Sequence, residues 1–350
     1  MYFASVFLYA IPLYRYDPGL FRMINHDVRL LFSERNGMCM YAPNPLHDIK
    51  VFFKAVLTNQ FAFWSPKAYI RFTKETGRKS EEESVEHVGR YFLQCFADYF
   101  AELDIAPDDI QNFLKGKHLL EYGPGDILGM PLLMYAYGAE KIDCVDRFPL
   151  QKMSEFNLRV YTFLLDSLTA DLQALARQAL QNPYDLREGF RPECITYSIN
   201  KKGLSGAFDS YDLIFSRAVL EHVNSLDETF LDMKHALKMG GIAIHRVDLS
   251  SHGLDRYTEL DFLTWPDLLY HIMYSCKGVP NRHRITAYKD AIRRHDFRCK
   301  KLVPIRMVAL DSVKKISAYL PERFRGVPDE ELTCTDFWMI FTKECASSPN

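Results

Sequence analysis

The sequence predicts an α/β protein in which a mainly parallel sheet carries helices on both faces. Three observations lead to this prediction. From about residue 117 onwards, short apolar runs of strand length alternate with longer segments of helical periodicity. The first of these runs ends in an acid and a glycine turn, and a new apolar stretch begins directly behind it. The second run also ends in an acid, about 20 residues further along the chain.

The glycine turn lies in the segment HLLEYGPGDILG, from His118 to Gly129. Glu121 stands at the strand end, and Gly123 and Gly125 allow a tight turn that brings backbone N–H groups close to a nucleotide-like ligand. Asp146 ends the next strand, KIDCVD, where a ribose-binding carboxylate is expected. This arrangement predicts a nucleotide-type cofactor at the carboxyl ends of the strands.

Two details of the turn disfavour a nicotinamide dinucleotide. The dinucleotide fingerprint has a third glycine three residues after the second, and Leu128 occupies that position here. In addition, dinucleotide folds normally carry an apolar residue where this chain has Glu121. An acid at that place suits a ligand with a positive charge or an amine.

The remaining elements follow from periodicity and capping signals. Strands are predicted near residues 117–122, 141–146, 194–199, 211–216, 241–247, 298–308 and 333–342. A long helical stretch covers about 150–180, and another helix covers about 285–295. The helix before the fifth strand has Ser225 as its cap and Glu228 three residues later, and we expect it to end at Gly240–Gly241.

The first part of the chain differs from the rest in composition and predicted secondary structure. Residues 1–114 are aromatic-rich and helical, with a capping box formed by Ser80 and Glu83. We interpret them as an N-terminal lid, substrate or dimerisation region. The ligand-binding domain then covers 115–345, with a substrate-side insertion at about 250–284.

Composition sets limits on the class of protein. The chain of 350 residues is 48 % hydrophobic and 25 % charged, with a net charge of −2, so no overall field favours nucleic acid or acidic membranes. The eight cysteines form no C-x-x-C pair, which predicts reduced thiols and a cytoplasmic location. The apolar run Tyr2–Tyr14 is too short to span a bilayer, and we interpret it as a buried or interface element.

The motifs resemble a known family when they are taken together. The run E-Y-G-P-G beginning at Glu121 resembles motif I of the class I S-adenosylmethionine-dependent methyltransferases. The resemblance continues through Cys144–Phe148, Tyr211–Val223 and Leu237–Ile244, in the family's order, over residues 115–250. It implies a Rossmann-like seven-stranded sheet and S-adenosylmethionine as cofactor, with S-adenosylhomocysteine as product.

A narrower resemblance involves two segments near the end of the fifth strand. Gly241–His252 and Asn281–Arg284 are similar to segments of bacterial methyltransferases of glycan or secondary-metabolite pathways. This implies methyl transfer to an oxygen or nitrogen of a small molecule.

Carried over to this sequence, the family motifs imply one set of residues along the cofactor. From the methionine end to the adenine and then toward the substrate, these are Glu121, Gly123, Gly125, Asp146, Arg147, Phe148, Ser198, Asn200, Ser216 and Arg217. Asp146 is expected on the ribose, with Arg147 and Phe148 beside the adenine. The family often has an acid for the adenine amino group, where this chain offers only Ser198 and Asn200.

The reaction implied by the resemblance is an SN2 displacement at a sulfonium methyl group. The protein must align the acceptor and, for an alcohol or an ammonium, remove a proton. The candidate bases are His245 and His222, with Asp248 as orienter or alternative base. The candidate substrate-binding residues are His252, Arg256, Tyr257, Arg282 and Arg284. Four side chains could in principle converge on a metal: His222, His245, Asp248 and His252. No metal is expected, however, because His245 and Asp248 are three residues apart and cannot share one strand face, and the acid cluster of metal-dependent O-methyltransferases is not visible.

Two other functions remain open at this point. The chain could be a non-catalytic module with a methyltransferase-like fold that serves as a partner or scaffold. An NAD-dependent oxidoreductase is the weaker alternative for the reasons given above. A nucleic-acid partner is not expected, since the sequence has no basic run. The aromatic N-terminal region also suits a homodimer interface.

Overall fold

A computed structural model describes residues 41–73 and 84–344. The apolar run Tyr2–Tyr14 and the proposed capping box of Ser80 and Glu83 lie outside these ranges, so neither prediction is tested. The first described helices are α1 (Pro45–Trp64), α2 (Pro66–Thr73), α3 (Val85–Glu102) and α4 (Ile110–Leu114). Helix α3 is capped by Ser84, whose hydroxyl accepts the backbone N–H of His87 at 3.1 Å.

Seven strands form one mixed sheet, and a two-stranded hairpin lies beside it. In chain order the strands are β1 (His118–Tyr122), β2 (Lys141–Asp146), β3 (Leu180–Asn182), β4 (Asp185–Phe190), β5 (Ile195–Ile199), β6 (Tyr211–Arg217), β7 (Leu237–Asp248), β8 (Phe297–Met307) and β9 (Cys334–Lys343). The sheet order is β5-β2-β1-β6-β7-β9-β8, and the hairpin is β3-β4. The first five strands of the sheet run parallel, whereas β9 is antiparallel to both β7 and β8. The carboxyl ends of β1, β2, β6 and β7 therefore meet at one edge.

Helices cover both faces of this sheet. The remaining helices are α5 (Gly129–Ala136), α6 (Glu155–Asp166), α7 (Ala170–Gln178), α8 (Leu226–Ala236), α9 (Asp267–Tyr274), α10 (Ile285–Arg294), α11 (Leu310–Ile316) and α12 (Asp329–Thr333). Apolar side chains of α3, α5 and α6 share one buried core with the sheet, and those of α8 and α10 share the core on the other face. The predicted Rossmann-like α/β architecture is confirmed.

Two predicted boundaries were wrong. The stretch 150–180 is two helices, because the chain turns between Asp166 and Ala170, and the hairpin β3-β4 follows. Helix α8 ends at Ala236, so Gly240 and Gly241 lie within β7 instead of ending a helix. There the pairing with β6 shifts register, and Gly240 adopts a left-handed φ of +77° that favours glycine.

The N-terminal region packs in two different places. Helix α3 lies on the sheet, where the ring of Tyr99 meets Phe215 at 5.5 Å and Trp338 at 5.4 Å between centroids. Helix α1 packs instead on α9 in the segment after β7, with Val56 and Trp265 in one apolar cluster. The region up to residue 114 thus contributes α3 and α4 to the main core and α1 to the contact with the insertion.

Two further expectations concern environment. Within the described ranges, no helix has both the length and the apolar character that a bilayer crossing needs. The cysteines in those ranges have free thiols: Cys95, Cys144, Cys194, Cys276, Cys299 and Cys334.

Candidate functional site

The glycine turn after β1 is shaped by close packing. Gly123 has a φ of +61° and donates its N–H to the carbonyl of Val145 at 2.8 Å. A Cβ atom added at Gly123 would lie only 2.6 Å from Cγ2 of Val219. Gly125 also has a positive φ, of +78°. The turn therefore passes against the segment that follows β6, and only glycine fits at its first position.

Asp146 has an unsatisfied carboxylate oxygen at the end of β2. The residue is 6 % exposed, and its Oδ1 accepts the backbone N–H of Phe148 at 3.1 Å. Its Oδ2 is buried and has no hydrogen-bond partner among the described residues. Burial raises the pKa of Asp146 to about 6, while backbone N–H groups of Phe148, Arg147 and Gly125 act in the opposite direction. A hydroxyl donor such as a ribose OH fits this oxygen, so the residues present are compatible with the cofactor.

Glu121 places a second carboxylate beside the turn. It is buried in β1, where it lies opposite Cys144 of β2 and Phe215 of β6 in the sheet register. Its negative charge is close enough to raise the pKa of both Tyr99 and Cys144, after the larger effect of their burial. The turn therefore starts from a site of negative potential, which suits a positively charged ligand group.

Arg147 and Phe148 follow Asp146 and reach toward the segment after β7. The Arg147 guanidinium lies 5.1 Å from the ring centre of Phe148. It donates to the backbone oxygens of His222 at 3.4 Å and Ser275 at 3.3 Å, and burial lowers its pKa. This side chain connects the predicted adenine side of the site to the predicted acceptor side.

Ser198 and Asn200 lie at the neighbouring strand end, as the sequence predicted, and both are exposed. The Ser198 hydroxyl donates to the carbonyl of Cys144 at 3.1 Å. The backbone N–H of Asn200 donates to the carbonyl of Asp146 at 2.9 Å, and its side-chain oxygen accepts the N–H of Lys202 at 2.9 Å. Both residues therefore border the site, and their side chains already take part in local hydrogen bonds.

The structure places His245, the first candidate base, inside the core. Its Nδ1 lies 2.7 Å from Oγ of Ser216 on the adjacent strand, and both residues are 0 % exposed. The ring stacks on Phe341 at 5.7 Å, under the layer of α8 and α10. Burial lowers the pKa of His245 to about 3. A base must reach the acceptor's proton, and this imidazole lies inside the core, as does the hydroxyl of Ser216.

Asp248 and Arg217 are also engaged elsewhere. Asp248 accepts the N–H of Ser250 at 2.9 Å and pairs with Arg306 at 3.0 Å, so it is not the orienter of His245. Arg217 forms an ion pair with Asp98 of α3 at 2.8 Å. Both therefore fix the protein's own segments around the strand ends.

Three side chains that could bind a metal ion, one carboxylate and two imidazoles, lie close together next to these strand ends. Glu221 and His222 lie in a 3₁₀ turn, Leu220–His222, and His252 lies in the loop after β7. The rings of His222 and His252 meet edge to face, with centroids 4.9 Å apart. Burial lowers the pKa of His222 to about 4, and the electrostatic effect of the adjacent His252 acts in the same direction.

Glu221 is the residue that the sequence reasoning missed. It is 1 % exposed, and burial raises the pKa of its carboxyl well above the ordinary value. The sequence signal was present, since Glu221 precedes His222 in the V-L-E-H run. The run lies before α8, which begins at Leu226 directly after the predicted cap Ser225.

Arg256 and Tyr257 hold helix α1 in place instead of lining an open pocket. Arg256 is buried, pairs with Asp48 at 3.1 Å and lies 4.2 Å from the ring centre of Trp265. Tyr257 donates its hydroxyl to Asp48 at 2.8 Å. These two side chains, predicted to bind substrate, therefore form ionic and hydrogen-bonding contacts with helix α1 in the structure.

Arg282 and Arg284 are also buried and paired, contrary to the predicted substrate contact. Arg282 donates to the carbonyl of Trp265 and to Asp267, both at 2.5 Å. Arg284 donates to the carbonyls of Leu249 at 2.9 Å and Leu332 at 3.0 Å, and also to Cys334. Burial lowers the pKa of each guanidinium to about 10. Arg282 therefore makes its contacts within the insertion, whereas Arg284 connects the end of the insertion to the start of β9.

The comparisons with known proteins agree with the architecture of this site. A family model described as a methyltransferase domain matches residues 94–302. None of the curated proteins matches the chain.

Several solved structures are similar to the chain at low identity. An S-adenosylmethionine-dependent methyltransferase from Mesorhizobium loti is 18 % identical, with 65 % of this chain and 92 % of that chain covered and a TM-score of 0.35. Phosphoethanolamine N-methyltransferase 2 from Haemonchus contortus is 17 % identical, with coverage of 66 % and 49 % and a TM-score of 0.34. Geranyl diphosphate C-methyltransferase from Streptomyces coelicolor A3(2) is 11 % identical, with coverage of 67 % and 78 % and a TM-score of 0.37.

Proposed function

Since the chain belongs to the family of methyltransferase domains and is an S-adenosylmethionine-dependent methyltransferase, we propose that its methyl acceptor is an oxygen or nitrogen atom of a small molecule. The acceptor belongs to the glycan or secondary-metabolite class. When bound, S-adenosylmethionine supplies an electrophilic methyl group together with its leaving group. The protein's residues therefore have to bind the cofactor, align the acceptor and deal with the acceptor's proton.

The single observation that carries the cofactor side of this proposal is the buried, unpaired Oδ2 of Asp146. We assign this oxygen to a ribose hydroxyl, because an unpaired buried acceptor is costly and a hydroxyl donor removes that cost. Glu121 lies toward the sulfonium and amino groups, and the turn at Gly123 and Gly125 brings the backbone to the same ligand. Arg147 and Phe148 then border the adenine, together with Ser198 and Asn200.

The acceptor side is assigned to the edge where β6 and β7 end. Because His245 is buried in the core, we assign the removal of the acceptor's proton to the cluster at this edge that contains His222 and His252. His252 is exposed and touches the ring of His222, so this pair borders the space outside the strand ends. In open α/β sheets that space holds the ligand.

Calorimetric titration of the purified full chain with S-adenosylmethionine, S-adenosylhomocysteine and NAD tests the cofactor assignment. We expect the first two to bind and NAD not to bind. Asp146→Asn removes the ionised acceptor at nearly constant size and is expected to weaken S-adenosylhomocysteine binding by at least about tenfold. Asp311→Asn, at an exposed carboxylate, is the matched control and leaves affinity unchanged.

The acceptor assignment needs a second experiment. Incubation with S-adenosylmethionine and a panel of small hydroxyl and amine compounds, read by mass spectrometry, identifies methylated products. Cofactor binding without any methylated small molecule would support a scaffold role or a macromolecular acceptor. Binding of NAD and not of S-adenosylhomocysteine would support the alternative that the protein is an NAD-dependent oxidoreductase.

A further inference from the structure

Three potential metal ligands lie together beside the proposed acceptor site. Glu221, His222 and His252 each offer one ligand atom, and these atoms lie within 4.8 Å of one another. They come from two segments, the turn after β6 and the loop after β7, so the fold brings them together at the strand ends. A carboxylate and two imidazoles form the ligand set of many divalent transition-metal sites.

The carboxylate of Glu221 has no satisfactory partner within the described part of the chain. Both of its oxygens are buried without a hydrogen bond, and Nε2 of His222 is 3.9 Å away. Burial raises the pKa of Glu221 well above its ordinary value, and the carboxylates of Asp248 and Asp336 act in the same direction, against an opposing effect of the backbone N–H groups of Glu221 and Asp248 that is smaller than that of burial. Proteins rarely bury a carboxylate with neither hydrogen bond nor counter-charge, and a cation at this place provides the counter-charge.

The two imidazoles are oriented for ligation. Nε2 of His252 lies 3.4 Å from the carbonyl oxygen of Asp248. Since a carbonyl only accepts, this nitrogen carries the proton, and Nδ1 keeps its lone pair. Metal-binding histidines commonly donate their other ring N–H to a carbonyl in this way. The backbone of His252 has a φ of +50°, which is strained for a residue with a side chain. Nδ1 of His222 is buried and has no hydrogen-bond partner among the described residues.

The turn that carries Glu221 and His222 is held rigidly from outside. Asn281 donates its backbone N–H to the carbonyl of Glu221 at 2.6 Å. Its side-chain amide donates to the carbonyls of Leu220 at 2.9 Å and Val223 at 3.2 Å. Arg147 binds the carbonyl of His222 from the other side. The positions of the ligand atoms are thus fixed by neighbouring segments, as a metal site requires.

We propose that Glu221, His222 and His252 bind a divalent transition-metal ion, and that this ion coordinates an oxygen of the methyl acceptor. The second half rests on the proposed function and makes it more specific, because an acceptor with two adjacent oxygens chelates such an ion best. The ion lowers the pKa of the coordinated hydroxyl, whose proton passes to water, and the two imidazoles act as ligands in place of a free base. No oxidant or reductant is involved.

This proposal differs from the expectation that the chain binds no metal. That expectation considered His222 and His252 only together with His245 and Asp248, which cannot share one strand face, and it did not include Glu221. The predicted ion is Zn²⁺ or Co²⁺ rather than Mg²⁺ or Ca²⁺, because imidazole nitrogen suits the former ions and oxygen ligands suit the latter.

Cobalt titration of the chelator-treated full chain tests the ligand set. Co²⁺ added alone should bind with a stoichiometry near one and produce visible absorption bands, and Mg²⁺ should not displace it. Glu221→Gln and His252→Ala should each weaken Co²⁺ binding by at least about tenfold. His271→Ala, which removes an exposed histidine of α9, is the matched control and should leave binding unchanged.

The outcomes separate the metal site from the proposed function. Absence of Co²⁺ binding, or binding that none of the ligand variants weakens, overturns the metal proposal. Thermal unfolding of Glu221→Gln guards against a folding artefact, since an amide of nearly the same size replaces a carboxyl whose oxygens have no hydrogen-bond partner among the described residues, and stability should not fall. Binding of S-adenosylhomocysteine to the metal-free chain is measured in a separate titration. If it does not bind, the proposed cofactor site is wrong, and the result for the metal site is unaffected.

A final experiment tests whether the acceptor chelates the metal ion through two adjacent oxygens. Catechol, which has two adjacent hydroxyls, should shift the absorption bands of the cobalt-loaded chain at lower concentration than phenol does. Equal responses to the two compounds would overturn the chelating acceptor.

Discussion

Ser216 Oγ and His245 Nδ1 are 2.7 Å apart on adjacent strands, and neither residue has exposed surface. The two residues are paired in the register of β6 and β7. This contact accounts for a polar pair in an apolar layer, because each side chain satisfies one hydrogen-bonding group of the other. It makes His245 part of the packing that holds two central strands together.

Ser216→Ala should therefore change stability and not catalysis. It leaves Nδ1 of His245 buried without a partner, which costs about 1–3 kcal/mol in the free energy of unfolding. Denaturant unfolding measures this change, and calorimetry with S-adenosylhomocysteine should show unaltered affinity. Ser210→Ala, at an exposed hydroxyl that contacts only a local carbonyl, serves as control. A loss of turnover of about 100-fold in folded Ser216→Ala would instead favour His245 as the base.

Cofactor affinity should depend on pH through Asp146. Its pKa in the free protein is raised to about 6, so the carboxyl is increasingly protonated below that pH. A protonated carboxyl accepts a ribose hydroxyl less well, and affinity for S-adenosylhomocysteine should weaken by up to about tenfold for each pH unit below 6. Titrations at pH 5, 6, 7 and 8 measure the profile. Asp146→Asn should bind weakly and without this pH dependence; an unchanged profile in that variant would assign the titration to another group.

Gly123→Ala should lower the free energy of unfolding by more than a glycine-to-alanine change at a left-handed position normally does. Besides its φ of +61°, the new Cβ would lie 2.6 Å from Cγ2 of Val219. Gly206 has a similar φ of +65° with no atom within 4 Å of an added Cβ, so Gly206→Ala isolates the backbone cost of about 1–2 kcal/mol. We expect Gly123→Ala to cost about 1–3 kcal/mol more than this control. Equal losses on denaturant unfolding would show that the segment at Val219 gives way.

Arg284→Met should destabilise the protein without changing the KM for the acceptor. The guanidinium donates to three backbone carbonyls in the core, and each unpaired carbonyl costs about 1–3 kcal/mol. Thermal unfolding and steady-state kinetics at low temperature distinguish the two effects. Arg298→Met, at an exposed arginine, is the control. A raised KM with unchanged stability would restore the substrate role that the sequence suggested.

The success and failure of the sequence predictions have a physical explanation. Glu121 and Asp146 were placed correctly at strand ends because apolar runs of strand length identify the strands and the acids mark where each run stops. Strand patterns do not reveal what covers each face. His245 was expected at the site because of its position near the end of β7, but that strand lies between β6 and β9 with helices above, which buries the ring.

Long-range pairing was the other source of error. Arg256 and Arg284 were expected to face a substrate, since an arginine in an irregular segment usually reaches solvent. Their partners, such as Asp48 and the carbonyl of Cys334, are distant in sequence and become visible only once the chain is folded. Glu221 was overlooked for a related reason, because its isolation depends on how a 3₁₀ turn packs against the loop that contains Asn281.

The pairing of Arg256 with Asp48 has a consequence for how acceptor preference changes in evolution or by engineering. Helix α1 and the segment after β7 share one buried charge pair and one apolar cluster. If only one of the two segments were replaced, the other would keep a buried charge without its partner. A chimaera that takes only one of the two segments from a relative would inherit half of this contact. We therefore expect that a change of acceptor requires both segments to be replaced together, while the sheet and the glycine turn after β1 are kept.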